Sequence, residues 1–164
     1  MKPKPTVHAI CGFIGAGKTT FARQLEASTG AVRITKDEWL IRLIGRDPTI
    51  DGYAEIDRKM CELTRDFAFQ LVEKGIDIIL DEGFWAREER GALRERVAAS
   101  GASMVMYYLA TPIEVIRERV AARNTIPSDD SFRIDRDLLE MYLAYWQPPG
   151  EEENVVLVSD LSTR

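Results

Sequence analysis

One octet of the sequence restricts the choice of fold more than any other feature: Gly12-Phe13-Ile14-Gly15-Ala16-Gly17-Lys18-Thr19, which has the form G-x-x-x-x-G-K-[ST]. A short apolar run, Thr6 to Cys11, precedes it, and apolar residues at helical spacing (Phe21, Ala22, Leu25) follow it. The octet therefore reads as the turn between a strand and a helix. Glycines at these positions let successive backbone N–H groups turn inward around an anion, and a helix N-terminus adds its positive dipole. Lys18 supplies a mobile charge for the β and γ phosphates of a nucleoside triphosphate, and the Thr19 hydroxyl is a hard oxygen ligand for Mg²⁺. Gly12, Gly15, Ala16, Gly17, Lys18, Thr19 and Thr20 are thus the candidate nucleotide-binding residues.

Beyond the octet, strand and helix patterns alternate. Residues 31–35, 76–81, 103–109 and 155–158 read as further strands, and helices are expected over about 37–44, 51–74, 87–100, 112–124 and 135–146. Thr111 and Glu114 have the spacing of a capping box. Five short, largely apolar strands between helices call for a parallel sheet covered on both faces, reached through right-handed crossovers. One three-layer α/β domain over residues 1–164 is expected, and the irregular stretch 124–133 reads as a loop or lid within it.

Composition narrows the function classes. The 164 residues, 45% hydrophobic and 30% charged, match an ordinary globular domain. The 22 basic and 27 acidic residues give a net charge of −5, which disfavours a nucleic-acid partner. Cys11 and Cys61 form no C-x-x-C pair, so a reduced, cytoplasmic protein without a zinc site is expected. Residues 97–113 carry no charge but are too short and too polar for a membrane span. Lys2 and Lys4 before residues 7–16 imitate a secretory signal, yet His8, Gly12 and Gly15 dilute the apolar run and leave it as a first strand.

Other residues take meaning from the octet. The run Ile76 to Asp81 is a buried strand pattern ending in an acid. Lying beside the first strand, it would bring Asp81 to the same sheet edge as Thr19, within reach of Mg²⁺ directly or through water, with Glu82 the rival for that role. The competing reading is a strand that ends in solvent. Asp37 follows the second strand, where a carboxylate can accept the proton of a phosphate-accepting hydroxyl; the segment Thr35 to Glu38 equally fits a capping box that only starts a helix. Arg117, Arg119 and Arg123 precede the irregular loop, and Arg133 and Arg136 follow it. Arg119 and Arg123 share a helix face and can lean together over a nucleotide, against the alternative of surface pairing with Glu114 and Glu118. Trp39, Tyr53, Phe84 and Trp85 are candidates for an acceptor pocket or for core, while His8 and Cys11 read as core residues.

Taken together, the segments GFIGAGKTT, ITKDE, IILDEGFW with REER, RERVAARN and YWQPPGEEE resemble small P-loop kinases of the AAA_33 type. These are similar to the kinase domain of polynucleotide kinases, to chloramphenicol phosphotransferase and to zeta-toxin-like kinases. The resemblance covers nearly the whole chain; the first segment marks P-loop proteins in general, and the others identify the subgroup only in combination. It implies a three-layer P-loop NTPase fold with a five-stranded parallel sheet in the order 2-3-1-4-5 and a helical lid at about 117–136. It also implies that Asp37 is the general base and that Arg119 and Arg123 flank the phosphates; with the residue reading above, Lys18 completes the expected catalytic set and Thr19 and Asp81 the expected metal site. The expected function is an ATP- and Mg²⁺-dependent phosphotransferase that moves the γ-phosphoryl group to a hydroxyl of a small molecule in the cytoplasm. A polynucleotide 5′-hydroxyl kinase and a non-catalytic ATP-binding regulatory module are the rivals. The absence of an N-K-x-D element and of an ABC-type signature argues against a GTPase or a transporter ATPase. The acceptor and the oligomeric state stay open.

Overall fold

The computed structural model describes residues 3–126, 128 and 131–159. Lys2, and Pro127, Asp129 and Asp130 of the expected lid, lie outside the described residues. The chain runs β1 (Thr6–Gly12), α1 (Lys18–Thr29), β2 (Val32–Ile34), α2 (Lys36–Ile44), α3 (Tyr53–Glu73), β3 (Ile78–Gly83), α4 (Arg87–Ser100), β4 (Ser103–Leu109), α5 (Ile113–Arg123), α6 (Arg136–Leu143), a 3-10 turn (Glu151–Glu153) and β5 (Val156–Val158). The sheet order is β2-β3-β1-β4-β5, the expected 2-3-1-4-5, and every pairing is parallel.

Alternation along β1 explains the layers, because successive side chains leave a strand on opposite faces. Val7, Ala9 and Cys11 join Phe69 and Val72 of α3 and Leu93 and Val97 of α4 in one core. Ile10 joins Ala22 of α1, Ile79 and Leu109 in the other. Val7, Ile10, Ile79 and Leu80 are fully buried, and burying each such side chain stabilises the fold by roughly 1.5–3 kcal/mol. The two central strands are therefore a stiff platform for whatever stands on their carboxyl ends. A third apolar cluster sits at that end, where Phe13 packs with Leu40 of α2, Ile116 and Val120 of α5 and Leu139 of α6.

The β1–β3 ladder pairs Ala9 with Leu80 and then slips to pair Cys11 with Gly83. This irregularity falls at Asp81 and Glu82, so the two acids emerge where regular pairing ends. The strand itself starts two residues later than the sequence pattern suggests; at Asp77 the carboxylate accepts from the Thr6 N–H at 2.7 Å and the carbonyl accepts the first β2–β3 ladder bond, from the Val32 N–H, at 2.9 Å.

Two local expectations need correction. Thr111 and Glu114 form no capping box: Pro112 is the N-cap of α5, no side chain caps it, and the Thr111 hydroxyl donates to the Ala16 carbonyl at 3.0 Å. The threonine thus ties the glycine-rich turn from behind instead of starting a helix. The helix expected to reach residue 146 ends at Leu143, and the N–H groups of Tyr145 and Trp146 bond three residues back, a tighter turn that carries Trp146 towards Phe13. Among the described residues no helix is long and apolar enough to cross a membrane.

Candidate active site

The loop between β1 and α1 is built from backbone. Gly15 and Gly17 have φ of 74° and 97°, and the Ala16 N–H closes a turn on the Phe13 carbonyl at 3.1 Å. A Cβ on Gly15 would sit in a left-handed backbone 3.0 Å from Val120 Cγ2, and one on Gly12 would lie 3.2 Å from Ala16 Cβ, so glycine relieves strain at the first position and crowding at the second. Gly17 is the N-cap of α1 and no side chain caps the helix, which leaves its first amides directed at the loop's interior. Lys18 Nζ folds over this loop and donates to the Phe13 carbonyl at 2.8 Å.

At the neighbouring strand end, Thr19 Oγ1 donates to Asp81 Oδ2 at 3.1 Å. Burial pushes the Lys18 ammonium below its ordinary pKa, opposed by the Asp81 and Asp37 carboxylates. Burial likewise pushes Asp81 up, opposed by Lys18 and by the Thr19 hydroxyl. Each charge is short of solvent, so an anion over Lys18 and a hard cation beside Asp81 would both find partners. Thr19 and Asp81 offer two hard oxygens, and the described residues hold no group of three or more His, Cys, Asp or Glu that would cage a metal by themselves. That donor set fits Mg²⁺, which keeps much of its shell as water and phosphate oxygen. Glu82, the rival ligand, is held elsewhere: its Oε2 accepts from Arg65 Nε at 2.8 Å, and Arg65 also pairs with Glu89.

Asp37 is the second residue of α2, half exposed, 3.6 Å from Lys36 Nζ. Lys36 itself donates to Asp57 Oδ1 at 2.5 Å. Burial works against its charge, but Asp37, Cys61 and Asp57 prevail and hold its pKa above the ordinary value. Thr35 occupies the N-cap position without capping the helix: its hydroxyl accepts from Arg33, which also pairs with Glu38 at 3.1 Å. The capping-box alternative at Asp37 is therefore not formed.

A cleft of about 680 Å³ brings these groups together. Gly15, Gly17, Lys18, Thr19 and Thr20 form its floor, Arg119 and Arg123 line it from α5 as one wall, and Asp37 and Asp81 line it from α2 and β3. Gly12 and Ala16 lie buried beneath this floor. Arg119 makes a long contact with the Gly15 carbonyl, 3.5 Å. Arg117 turns the other way and pairs with Glu140 at 2.9 Å, because two residues along a helix reverse the face. Arg133 and Arg136 are not part of the wall. Of the aromatics, Tyr53, Phe84 and Trp85 line the cleft, whereas Trp39 packs against Phe67 at 6.1 Å. His8 is buried against the Tyr107 hydroxyl, and Cys11 is buried with its thiol pushed up to about 12.

The structure adds Arg23, Asp57, Cys61, Glu89, Phe132 and Tyr142 to the lining. Arg23 was legible, since it follows Thr19 and Thr20 by one helical turn. Asp57 and Cys61 share a helix face at spacing four, but nothing in the sequence says which face of α3 meets the cleft.

The profile of the AAA_33 family, described as an AAA domain, matches residues 7–149. The chain belongs to this family. Among solved structures, a Chloroflexus aurantiacus protein named as a kinase aligns at 16% identity over 96% of this chain and 88% of its own, with a TM-score of 0.73. The Mycobacterium tuberculosis APS kinase CysC, in complex with AMPPNP and APS, aligns at 18% over 99% and 91%, with a TM-score of 0.66. A chain of the Pnkp1/Rnl/Hen1 RNA repair complex aligns at 18% over 88% of this chain and 45% of its own, with a TM-score of 0.67. At these identities the likeness establishes the P-loop fold. The comparison with curated proteins returns no match.

Proposed function

We propose that the protein is an ATP- and Mg²⁺-dependent phosphotransferase that moves the γ-phosphoryl group to a hydroxyl of a small molecule. The observation that carries this reading is the cleft itself: a half-exposed carboxylate, Asp37, lines the same cleft as the phosphate-binding floor and the Thr19–Asp81 pair, near enough for its charge to act on Lys18 and Asp81. An ATP-binding module without chemistry needs the floor but has no use for that carboxylate.

In this reading the loop amides and Lys18 hold the β and γ phosphates, and Lys18 leaves the Phe13 carbonyl to do so. Thr19 and Asp81 would hold Mg²⁺, which when bound screens the phosphate charge. Asp37 accepts the proton of the acceptor hydroxyl as its oxygen bonds to the γ-phosphorus. The bond from that phosphorus to the bridging oxygen breaks, and ADP departs with the electron pair. Arg119 and Arg123 stabilise charge on the transferring group from their wall of the cleft. The floor and both walls fix attacking and leaving oxygens in line, so the acceptor competes successfully with water.

Asp37→Ala tests the assignment. ATP binding by calorimetry should persist, while acceptor-dependent ADP release falls by about 10²–10⁴-fold; transfer at the parent rate removes Asp37 from the mechanism. A polynucleotide 5′-hydroxyl acceptor is the second reading, favoured by the likeness to the RNA repair chain. Labelling of a 5′-hydroxyl oligonucleotide decides between them. The two free cysteines, Cys11 and Cys61, support a reducing compartment such as the cytoplasm.

A further inference from the structure

The proposed nucleotide site takes up the glycine-rich floor and the arginine wall, and the cleft has further lining beyond them. Its lining from α2, α3, β3 and α4 includes the carboxylates Asp37, Asp57, Glu82 and Glu89 and the ammonium of Lys36. Lys36 is committed to Asp37 and Asp57, and Arg65 lies behind this lining, committed to Glu82 and Glu89. These four carboxylates thus share two cations, Lys36 and Arg65. Within this lining Glu82 is exceptional. Its side chain is 2% exposed, its Oε2 is bonded to Arg65, and its Oε1 is buried with no hydrogen-bond partner among the described residues. A buried carboxylate oxygen left without a donor is costly, and a donor arriving with the substrate removes that cost. Aromatic rings complete this lining: Trp85 meets Tyr142 edge to face at 5.5 Å, and Tyr53 meets Phe132 in the same way at 5.6 Å, all four lining the cleft. Ring faces attract cations.

Resting on the phosphotransferase reading, we infer that the acceptor is a hydroxyl compound that also carries a protonated amine, and that Glu82 Oε1 accepts the hydrogen bond from that ammonium. Glu82 is then a specificity residue for the acceptor and not a metal ligand. The amine is held on the aromatic and acidic wall while the hydroxyl is presented to Asp37. Carboxylate, sulfate or phosphate groups on an acceptor meet Asp37, Asp57 and Glu89 instead and are rejected.

The test uses trios that share a carbon skeleton: serinol, glycerol and glycerate; glucosamine, glucose and gluconate. Each is assayed for ADP release with MgATP. The parent should prefer the amine over the neutral member by tenfold or more in kcat/KM, and the neutral member over the anion. Glu82→Gln should raise KM for the amines at least tenfold and change KM for the neutral members less than twofold. Glu82→Asp, which keeps the charge, should retain part of the preference. Thermal melting checks that each variant folds, and if Glu82→Gln does not, the parent's ranking and Glu82→Asp decide. A parent that prefers the neutral or anionic members, or a Glu82→Gln protein with the preference intact, overturns this inference alone. A panel that is silent throughout, with MgATP binding intact, overturns the phosphotransferase reading and this inference with it.

Discussion

Glu153→Gln perturbs a buried ion pair that ties the C-terminal segment to the Phe84–Trp85 turn lining the cleft. Arg90 has no exposed surface; its Nε and Nη2 donate to Glu153 Oε2 and Oε1 at 2.7 Å each. Its remaining nitrogen donates to the carbonyls of Phe84, Trp85 and Gln147 at 2.9, 3.1 and 2.9 Å. Phe84 has a φ of 49°, unusual for a side chain of this size, so the guanidinium holds a strained turn that lines the cleft. An amide in place of the carboxylate sets an N–H against an N–H and leaves a buried cation without its counter-charge, which costs about 3–5 kcal/mol. The acid constant gives an independent magnitude. Hydrogen bonds from Arg90, outweighing burial, hold the Glu153 carboxyl down to about 2 from its ordinary 4.5, and at 1.36 kcal/mol per unit that difference is worth about 3 kcal/mol. The expected loss is therefore about 3 kcal/mol, or about 6–12 °C in Tm for a chain of this length. Because the folded pKa is depressed, the contribution is complete well above pH 4.5 and fades as pH falls towards 2. The gap between parent and variant should shrink by about 1.4 kcal/mol at pH 3.5. Urea denaturation followed by tryptophan fluorescence at pH 7 and pH 3.5 measures both numbers. A gap below about 1 kcal/mol at pH 7, or one that stays constant with pH, refutes the reasoning.

Other outcomes follow from the loop and the arginine wall. Gly15→Ala forces a Cβ into a left-handed backbone 3.0 Å from Val120, and should cost about 1–2 kcal/mol of stability with about a tenfold loss of ATP affinity, read by melting and calorimetry. Arg119→Ala should slow acceptor-dependent ADP release by about 10–100-fold. Arg117→Ala should leave it within about twofold, since its exposed pair with Glu140 is worth at most about 1 kcal/mol.

Periodicity and glycine placement are local signals, and what they govern was legible. The strand–turn–helix around Gly12 to Thr19 and the five strands follow from the sequence pattern, while the strand order came with the family resemblance and, once β3 lies beside β1, brings Asp81 to Thr19. Arg119 and Arg123 on the wall follow from helical spacing. What was not legible depends on tertiary choice. The hydroxyl of Thr111 had two partners within reach, and the carbonyl of Ala16, ninety-five residues away in sequence, won over a local cap. Thr35 lost its capping role to Arg33, which bridges it to Glu38. Arg90 lies in the helix expected over 87–100, yet it is buried, because its partner Glu153 arrives from a turn whose position no local pattern reports. The split between Asp81 and Glu82 turned on Arg65, two-thirds of the way along α3, a contact that only the packed helix reveals.

Calorimetric titration of MgATP into the parent and into Lys18→Ala tests the central claim most directly, because the ammonium over the loop and the inward-facing amides must act on the same triphosphate. Saturable binding of one nucleotide per chain, weakened about 10–100-fold by Lys18→Ala, is the predicted result. No heat of binding with the parent, or equal affinity in the two proteins, contradicts it.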